Sequence, residues 1–438
     1  SFTFFYLECL IIRTMTKYIF ITLFLSFSVI FGQTLSVDEC VRIALENKSG
    51  GKIAEQDTKI AQLNRVSAIG MLLPTLRASN SFNETTYGNS SFSTNERYGA
   101  GISLSQNLFN SGNNARNVRK SNNNYLIAKE NERQSKSRII SNVYTYYYQF
   151  LKNKELFTIA EKNLELSSRQ LELVERRYSL GSVSRTDYLK ASVQYGRAKS
   201  TLLSRRLNRD NSEQTLKNGM GILEKNIELK VRDKVNIELI VPNFDEAYEI
   251  MIQNSPELRI LDAQIATAQL NLRSAWGSSL PSLNLSVGMN ASSSEKITSK
   301  FFDDNYIKSA NLTLSIPIFS GLKNRNSVEI SKMRFGQSKM IYSSKRKDAK
   351  VGLSSLLNTL KNYEELIPIY KEVLISAEED LRLAQKKYEL GSATILELLD
   401  AQLAVLQASS TLVTTKYDTA IQLANLDQLL GTLDKKYQ

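Results

Sequence analysis

The strongest constraint on this chain is an internal repeat. Arg177-Tyr178-Ser179-Leu180-Gly181-Ser182 returns 210 positions later as Lys387-Tyr388-Glu389-Leu390-Gly391-Ser392, and Leu189 and Ala191 return as Leu399 and Ala401. Self-similarity of this extent means that one structural unit is built twice. Asp38, Asn47 and Pro74 recur 207 positions on as Asp245, Asn254 and Pro281, and Gly221 recurs as Gly431. The 438 residues therefore divide into a first copy, 33–235, a second copy, 236–433, and a short tail, 434–438.

Each copy has the same predicted order of elements. A short amphipathic helix, Val37–Asn47 or Asp245–Asn254, precedes a second helix that ends at Leu73-Pro74 or Leu280-Pro281, where proline forces the preceding residue out of the helical region. Alternating segments follow. Leu283, Leu285, Val287 and Met289 alternate with Asn284, Ser286 and Gly288, and Leu312, Leu314, Ile316 and Ile318 alternate with Asn311, Thr313, Ser315 and Pro317. The first copy offers Leu76–Tyr87, a loop around Gly88–Asn95, and Tyr98–Phe109. Four strands of this length suit a tilted bilayer crossing with one apolar and one polar face, although a soluble antiparallel sheet alternates in the same way. Tyr87, Phe92, Tyr98, Phe109, Phe301, Phe302, Tyr306 and Phe319 near the strand ends favour the membrane version. Four strands cannot close a barrel, and open edges are not tolerated in lipid, so several chains must share it.

The remaining stretches are long helices, Asn114–Leu180 and Asn324–Leu390, each on the order of 100 Å at 1.5 Å per residue. Leu156, Ala160, Leu164, Ser167, Leu171, Val174 and Tyr178 recur at alternating four- and three-residue spacings, the period of a coiled coil with a returning helix. Gly181 and Gly391 suit the left-handed residue that ends a helix. Ser184-x-x-Asp187 and Thr394-x-x-Glu397 read as capping boxes for the return helices. The fold class is thus mainly α, with long antiparallel helical hairpins and a membrane β-portion.

Composition removes whole classes of function. With no histidine, no glycine-rich phosphate loop and no clustered metal ligands, the chain has no catalytic, cofactor or metal constellation and reads as a non-enzyme. The 56 basic and 44 acidic residues give +12, but the cations lie scattered in mixed-charge helices, so no nucleic-acid partner is expected. Cys40 reads as a small packed residue. Residues 1–14 precede Met15, which reads as the initiator, and 15–32 form a basic and then apolar segment with the character of a signal peptide. A lipid anchor would need a cysteine directly after that apolar core, and Cys40 lies too far on.

These residues resemble the TolC-like outer-membrane efflux family of Gram-negative bacteria over about Leu35–Leu433. The most specific marks are Leu-Pro at 73–74 and 280–281, Leu-Ser-Ile-Pro-Ile-Phe-Ser-Gly at 314–321, and the two Tyr-x-x-Gly tips. The resemblance implies a homotrimer in outer-membrane lipid. Three chains would supply four strands each to a twelve-stranded barrel, continued by an α-helical barrel across the periplasm. It further implies a passive exit duct, closed at its tip until a periplasmic adaptor and an inner-membrane pump of the RND or ABC type engage it. The alternative kept open is an exported periplasmic coiled-coil scaffold without a channel.

The resemblance also implies roles for particular residues. Glu397 and Asp400 would form a constriction ring that favours cations; the plainer readings are a capping role for Glu397 and a solvated face for Asp400. Asp187 and Tyr388 would hold the closed tip. The family's arginine two positions after the second tip glycine is Ala393 here, which removes one charged link. Leu180, Gly181 and Ser182, with Leu390, Gly391 and Ser392, match the adaptor contacts, or else form plain interhelical turns. A second departure is Lys48-Ser49-Gly50-Gly51, where an interrupted first helix is expected and the glycines would loosen the junction.

Overall fold

A computed structural model describes residues 35–87, 93–222, 231, 239–294, 296 and 306–437. Residues 15–32, expected to be a signal peptide, and Phe92, Phe301 and Phe302 lie outside the described residues. The element order is α1 (Val37–Asn47), α2 (Ser49–Gly70), β1 (Thr75–Tyr87), β2 (Ser93–Asn110), α3 (Asn113–Ser179) and α4 (Arg185–Gly219). It continues with α5 (Phe244–Asn254), α6 (Pro256–Gly277), β3 (Ser282–Ser293), β4 (Tyr306–Ser315), α7 (Lys323–Glu389), α8 (Ile395–Leu430) and a 3-10 turn, Leu433–Tyr437. The same helix–helix–strand–strand–helix–helix order thus occurs twice. No described helix is long and apolar enough to cross a membrane.

Local chemistry sets the helix ends. Ser36 and Glu39 close a full capping box on α1. The chain leaves the helix at Lys48, with φ −70° and ψ 121°, which is the expected interruption of the first helix, and Gly50 and Gly51 lie inside α2. Helices α2 and α6 stop at Gly70 and Gly277, a few residues before the prolines, and Leu72 and Leu73 donate to the Ile69 and Gly70 carbonyls in a tight closing turn.

Two compact units take pieces from both copies. One contains α1, α4, the C-terminal part of α3 from Ile139, and α7 and α8 between Thr359 and Asn425. Its core is rich in tyrosine: the Tyr147 and Tyr148 rings meet edge-on at 5.6 Å, and Tyr148 lies 6.5 Å from Tyr417. Cys40 is fully buried here, and burial pushes its thiol up to about 12.

The other unit holds α2, α5, α6, the sheet, the N-terminal parts of α3 and α7, and the C-terminal turn. That turn is clamped by Arg133, which reaches Asp434 at 2.9 Å and Glu130 at 2.7 Å. The strands form one antiparallel meander, β1-β2-β3-β4. Strand β2 starts at Ser93 rather than Tyr98, because Ser93–Asn95 pair with Tyr87, Thr86 and Thr85. Strand β4 ends at Ser315, short of the expected Ile318. Ser315 pairs with Ser282, the first residue of β3, and the preceding Pro281 has no N–H to extend the ladder.

Candidate functional site: the amphipathic sheet and the hairpin tips

The register sorts the sheet into two faces. On one, Leu76, Leu104 and Val287 line up across β1–β3, as do Phe109, Leu283 and Leu314 across β2–β4. On the other, Ser79, Gly101 and Asn290 align, as do Asn284 and Thr313. A bulge between Asn107 and Phe109 keeps this sorting intact. Strict alternation from Leu104 would turn Phe109 to the polar face, and the extra residue returns it to the apolar one. Leu76, Leu312 and Leu314 are 73%, 65% and 60% exposed, so the apolar face is uncovered in the single chain. Strands β1 and β4 pair on one side only.

The two tips are near copies. In the first, Ser182 N–H donates to the Arg177 carbonyl at 2.9 Å and Gly181 sits at φ +73°. In the second, Ser392 N–H donates to the Lys387 carbonyl at 2.9 Å and Gly391 sits at φ +75°. Both are Schellman closures, and the left-handed residue is glycine because a Cβ is costly there. Leu180 and Leu390 project at 82% and 83% exposure. Return helices α4 and α8 start with the predicted boxes. The Asp187 carboxylate accepts from Ser184 Oγ at 2.8 Å, and Glu397 Oε1 accepts from Thr394 Oγ1 at 3.0 Å.

Between the tips lies one apolar cluster of Val174, Ala191, Ala384, Tyr388, Ile395, Leu398 and Ala401. Tyr388 is buried in it. Burial raises its hydroxyl above the usual phenol range, Asp187 adds to the rise, and Arg177 opposes it. That hydroxyl has no hydrogen-bond partner among the described residues, so Asp187 and Tyr388 are neighbours without a direct link. Glu397 and Asp400 are both exposed, on the side of α8 away from this cluster. Ala393 packs against the apolar cluster.

The residue that sequence reasoning missed is Arg177. Its guanidinium donates to the Tyr388 carbonyl at 3.1 Å and the Glu389 carbonyl at 3.0 Å, and lies 5.1 Å from the centre of the Tyr388 ring. The last carbonyls of a helix have no intrahelical partner and carry partial negative charge, so a bidentate cation there joins the first hairpin to the second. The available signal was a difference between the copies: Arg177 corresponds to Lys387, which lacks the planar fork. At the edge of the cluster, next to Ala401 and Leu171, Gln402 donates to Gln170 in a second, buried link between α8 and α3.

A family model described as outer membrane efflux protein matches residues 43–221 and 247–432, well over half of the chain. The outer membrane protein TolC of Salmonella enteritidis is 25% identical over 309 residues, covering 68% of this chain and 62% of that protein. The cation efflux system protein CusC of Escherichia coli K12 is 23% identical over 309 residues, covering 70% and 67%. The match to TolC therefore spans less than two thirds of that relative's length. Among solved structures, CusC has a TM-score of 0.81 at 20% identity, covering 92% of this chain and 93% of the other. The open state of the Neisseria gonorrhoeae MtrE outer membrane channel has a TM-score of 0.78 at 19% identity, covering 91% and 89%. At these identities the structural likeness establishes the fold. The family match takes in both strand pairs and both tips, and the chain belongs to the outer membrane efflux protein family, with the outer membrane as its compartment.

Proposed function

We propose that this chain is one third of a passive exit duct. Three copies join their sheets into a twelve-stranded barrel, apolar face to lipid and polar face to a water-filled lumen, and their long hairpins continue the duct through the periplasm. The observation that carries this reading is the sheet: a two-faced, four-stranded meander with an uncovered apolar side and two open edges. In lipid those edges must be paired, and further copies of the same chain can do so. A second support lies on α4, where Leu189, Val193, Leu203 and Leu207 are 50%, 54%, 59% and 60% exposed. With Gly196 and Ser200 they follow a four–three spacing, the seam of a helix awaiting a neighbour. A monomeric periplasmic scaffold has no use for either surface.

Transport energy then comes from an inner-membrane pump, and a periplasmic adaptor meets the tips at Leu180, Gly181, Ser182, Leu390, Gly391 and Ser392. Glu397 and Asp400 place six carboxylates around the narrow end of a trimer and favour cations there. Arg177, through the Tyr388 and Glu389 carbonyls, holds the tip closed, with the Tyr388 ring packed in the apolar cluster and Asp187 beside it. The test is ion conductance of the purified protein in planar bilayers. Trimers that conduct with cation preference support the duct; a monomer that never conducts refutes it.

A further inference from the structure

Charge is markedly uneven beside the sheet. Residues 60–74, 111–124, 266–281 and 316–333, which reach from the strand ends into the first few turns of the adjoining helices, hold eight basic side chains: Arg65, Arg116, Arg119, Lys120, Arg273, Lys323, Arg325 and Lys332. The same windows hold one acid, Glu329. Arg116 spends its guanidinium on the Ser111 carbonyl, Asn113 and Ser274, not on a carboxylate. Arg119, Lys120, Arg273, Lys323 and Arg325 have no salt bridge among the described residues. Lys120, one turn after Arg116, is held below the ordinary lysine range, first by burial and then by Arg116. Two neighbouring cations without an acid form a site that an anion would relieve.

Next to these cations the chain exposes large apolar groups that no ladder uses. Leu73 is 64% exposed, Trp276 62%, Ile318 96% and Phe319 82%. They lie in the links between strands and helices or, for Trp276, at the end of the helix leading into β3. A soluble anion has no need of this apolar rim, and an apolar protein partner has no need of the cations. A bilayer boundary needs both, because acyl chains meet the rim and headgroup phosphates meet the cations.

We propose that the strand–helix junction of this chain is an interfacial collar that binds the headgroups of anionic phospholipids. The collar rests on the reading in which the strands cross the membrane. It fixes the depth of the sheet and gives the leaflet beside the helices a preferred lipid. Each cation beside an anionic leaflet strengthens the attraction roughly fivefold, less where salt screens it.

The experiment uses the full chain purified in uncharged detergent and mixed with phosphatidylglycerol or phosphatidylcholine. Retained phospholipids are counted by native mass spectrometry, for the unaltered protein and for the combined variant R119Q/K120Q/K323Q/R325Q. Lys323 and Arg325 are exposed, so K323Q/R325Q serves if the combined variant does not fold. The unaltered protein should retain phosphatidylglycerol over phosphatidylcholine by at least about tenfold. The variants, or about 1 M NaCl, should remove that preference. Equal retention of the two lipids, an unchanged preference in the variants, or displacement of phosphatidylglycerol by inorganic phosphate or by a soluble acidic peptide would overturn the collar. Conductance separates the two readings. A conducting trimer without headgroup preference overturns the collar alone, whereas a protein that neither trimerises nor conducts overturns the duct.

Discussion

Replacing Arg177 with alanine removes the bidentate link between the hairpins and is predicted to loosen the tip without unfolding the chain. The two hydrogen bonds, at 3.1 and 3.0 Å, run from a cation to carbonyls at a helix C-terminus. Charge-assisted bonds of this kind contribute about 1.5–3 kcal/mol each when fully buried, and Arg177 is half-buried, so half or less of that applies. The Tyr388 ring adds about 0.5–1 kcal/mol. A net loss of about 2 kcal/mol per chain corresponds to roughly a 30-fold shift in local opening. Amide exchange reads this directly, because the Gly391 and Ser392 N–H groups are tied to the Tyr388 and Lys387 carbonyls. In Arg177→Ala those amides should exchange about 30-fold faster, while amides in the tyrosine-rich core remain unchanged. Arg177→Lys, which keeps the charge but not the fork, should fall between the two. Unchanged exchange at Gly391 and Ser392, with unchanged conductance, would refute the link.

Three further outcomes follow from the same geometry. Gly181→Ala meets only the left-handed backbone cost, about 1–2 kcal/mol, because nothing lies within 4 Å of the new Cβ. Gly431→Ala must also push into the backbone of Asn254, so its melting point should fall clearly further than that of Gly181→Ala. Asp400→Asn should reduce cation preference in bilayers with little loss of stability. Glu397→Ala should reduce it too and cost about a further 1 kcal/mol by removing the capping box at Thr394. For Cys40, burial in the folded chain pushes the thiol from its ordinary 9.0 up to about 12. The neutral form is favoured by folding, so its contribution is complete below about pH 9 and is lost as pH rises towards 12. Alkylation at pH 8 should therefore track global unfolding, and fast labelling of the native protein would contradict this burial.

Most of the element order was legible because it depends on local chemistry. Helices α3 and α7 fall within a residue of their expected limits, and both tips carry the glycine and capping boxes that the repeat pointed to. What was not legible depends on partners distant in sequence. Strand β2 extends to Ser93 because β1 is there to pair with it, and β4 stops at Ser315 because Pro281 is not. The bulge at Asn107–Phe109 repairs an alternation that would otherwise break. At the tip, Ala393 read only as the loss of a charged link. In the structure it packs against the apolar cluster, and Arg177 supplies a cation from the other hairpin. That exchange could be seen only once the ends of α3 and α7 were brought side by side.

The central claim is that the open edges of β1 and β4 meet in different copies of the chain. It is tested by cysteine cross-linking in the outer membrane, in a Cys40→Ala background. Ser79→Cys on β1 is combined in turn with Ser309→Cys, Asn311→Cys or Thr313→Cys on β4, all on the polar face. One of these pairs should yield a covalent ring of three chains on a non-reducing gel. Absence of intermolecular products from every pair, or a protein released with the soluble periplasm, would contradict the shared barrel.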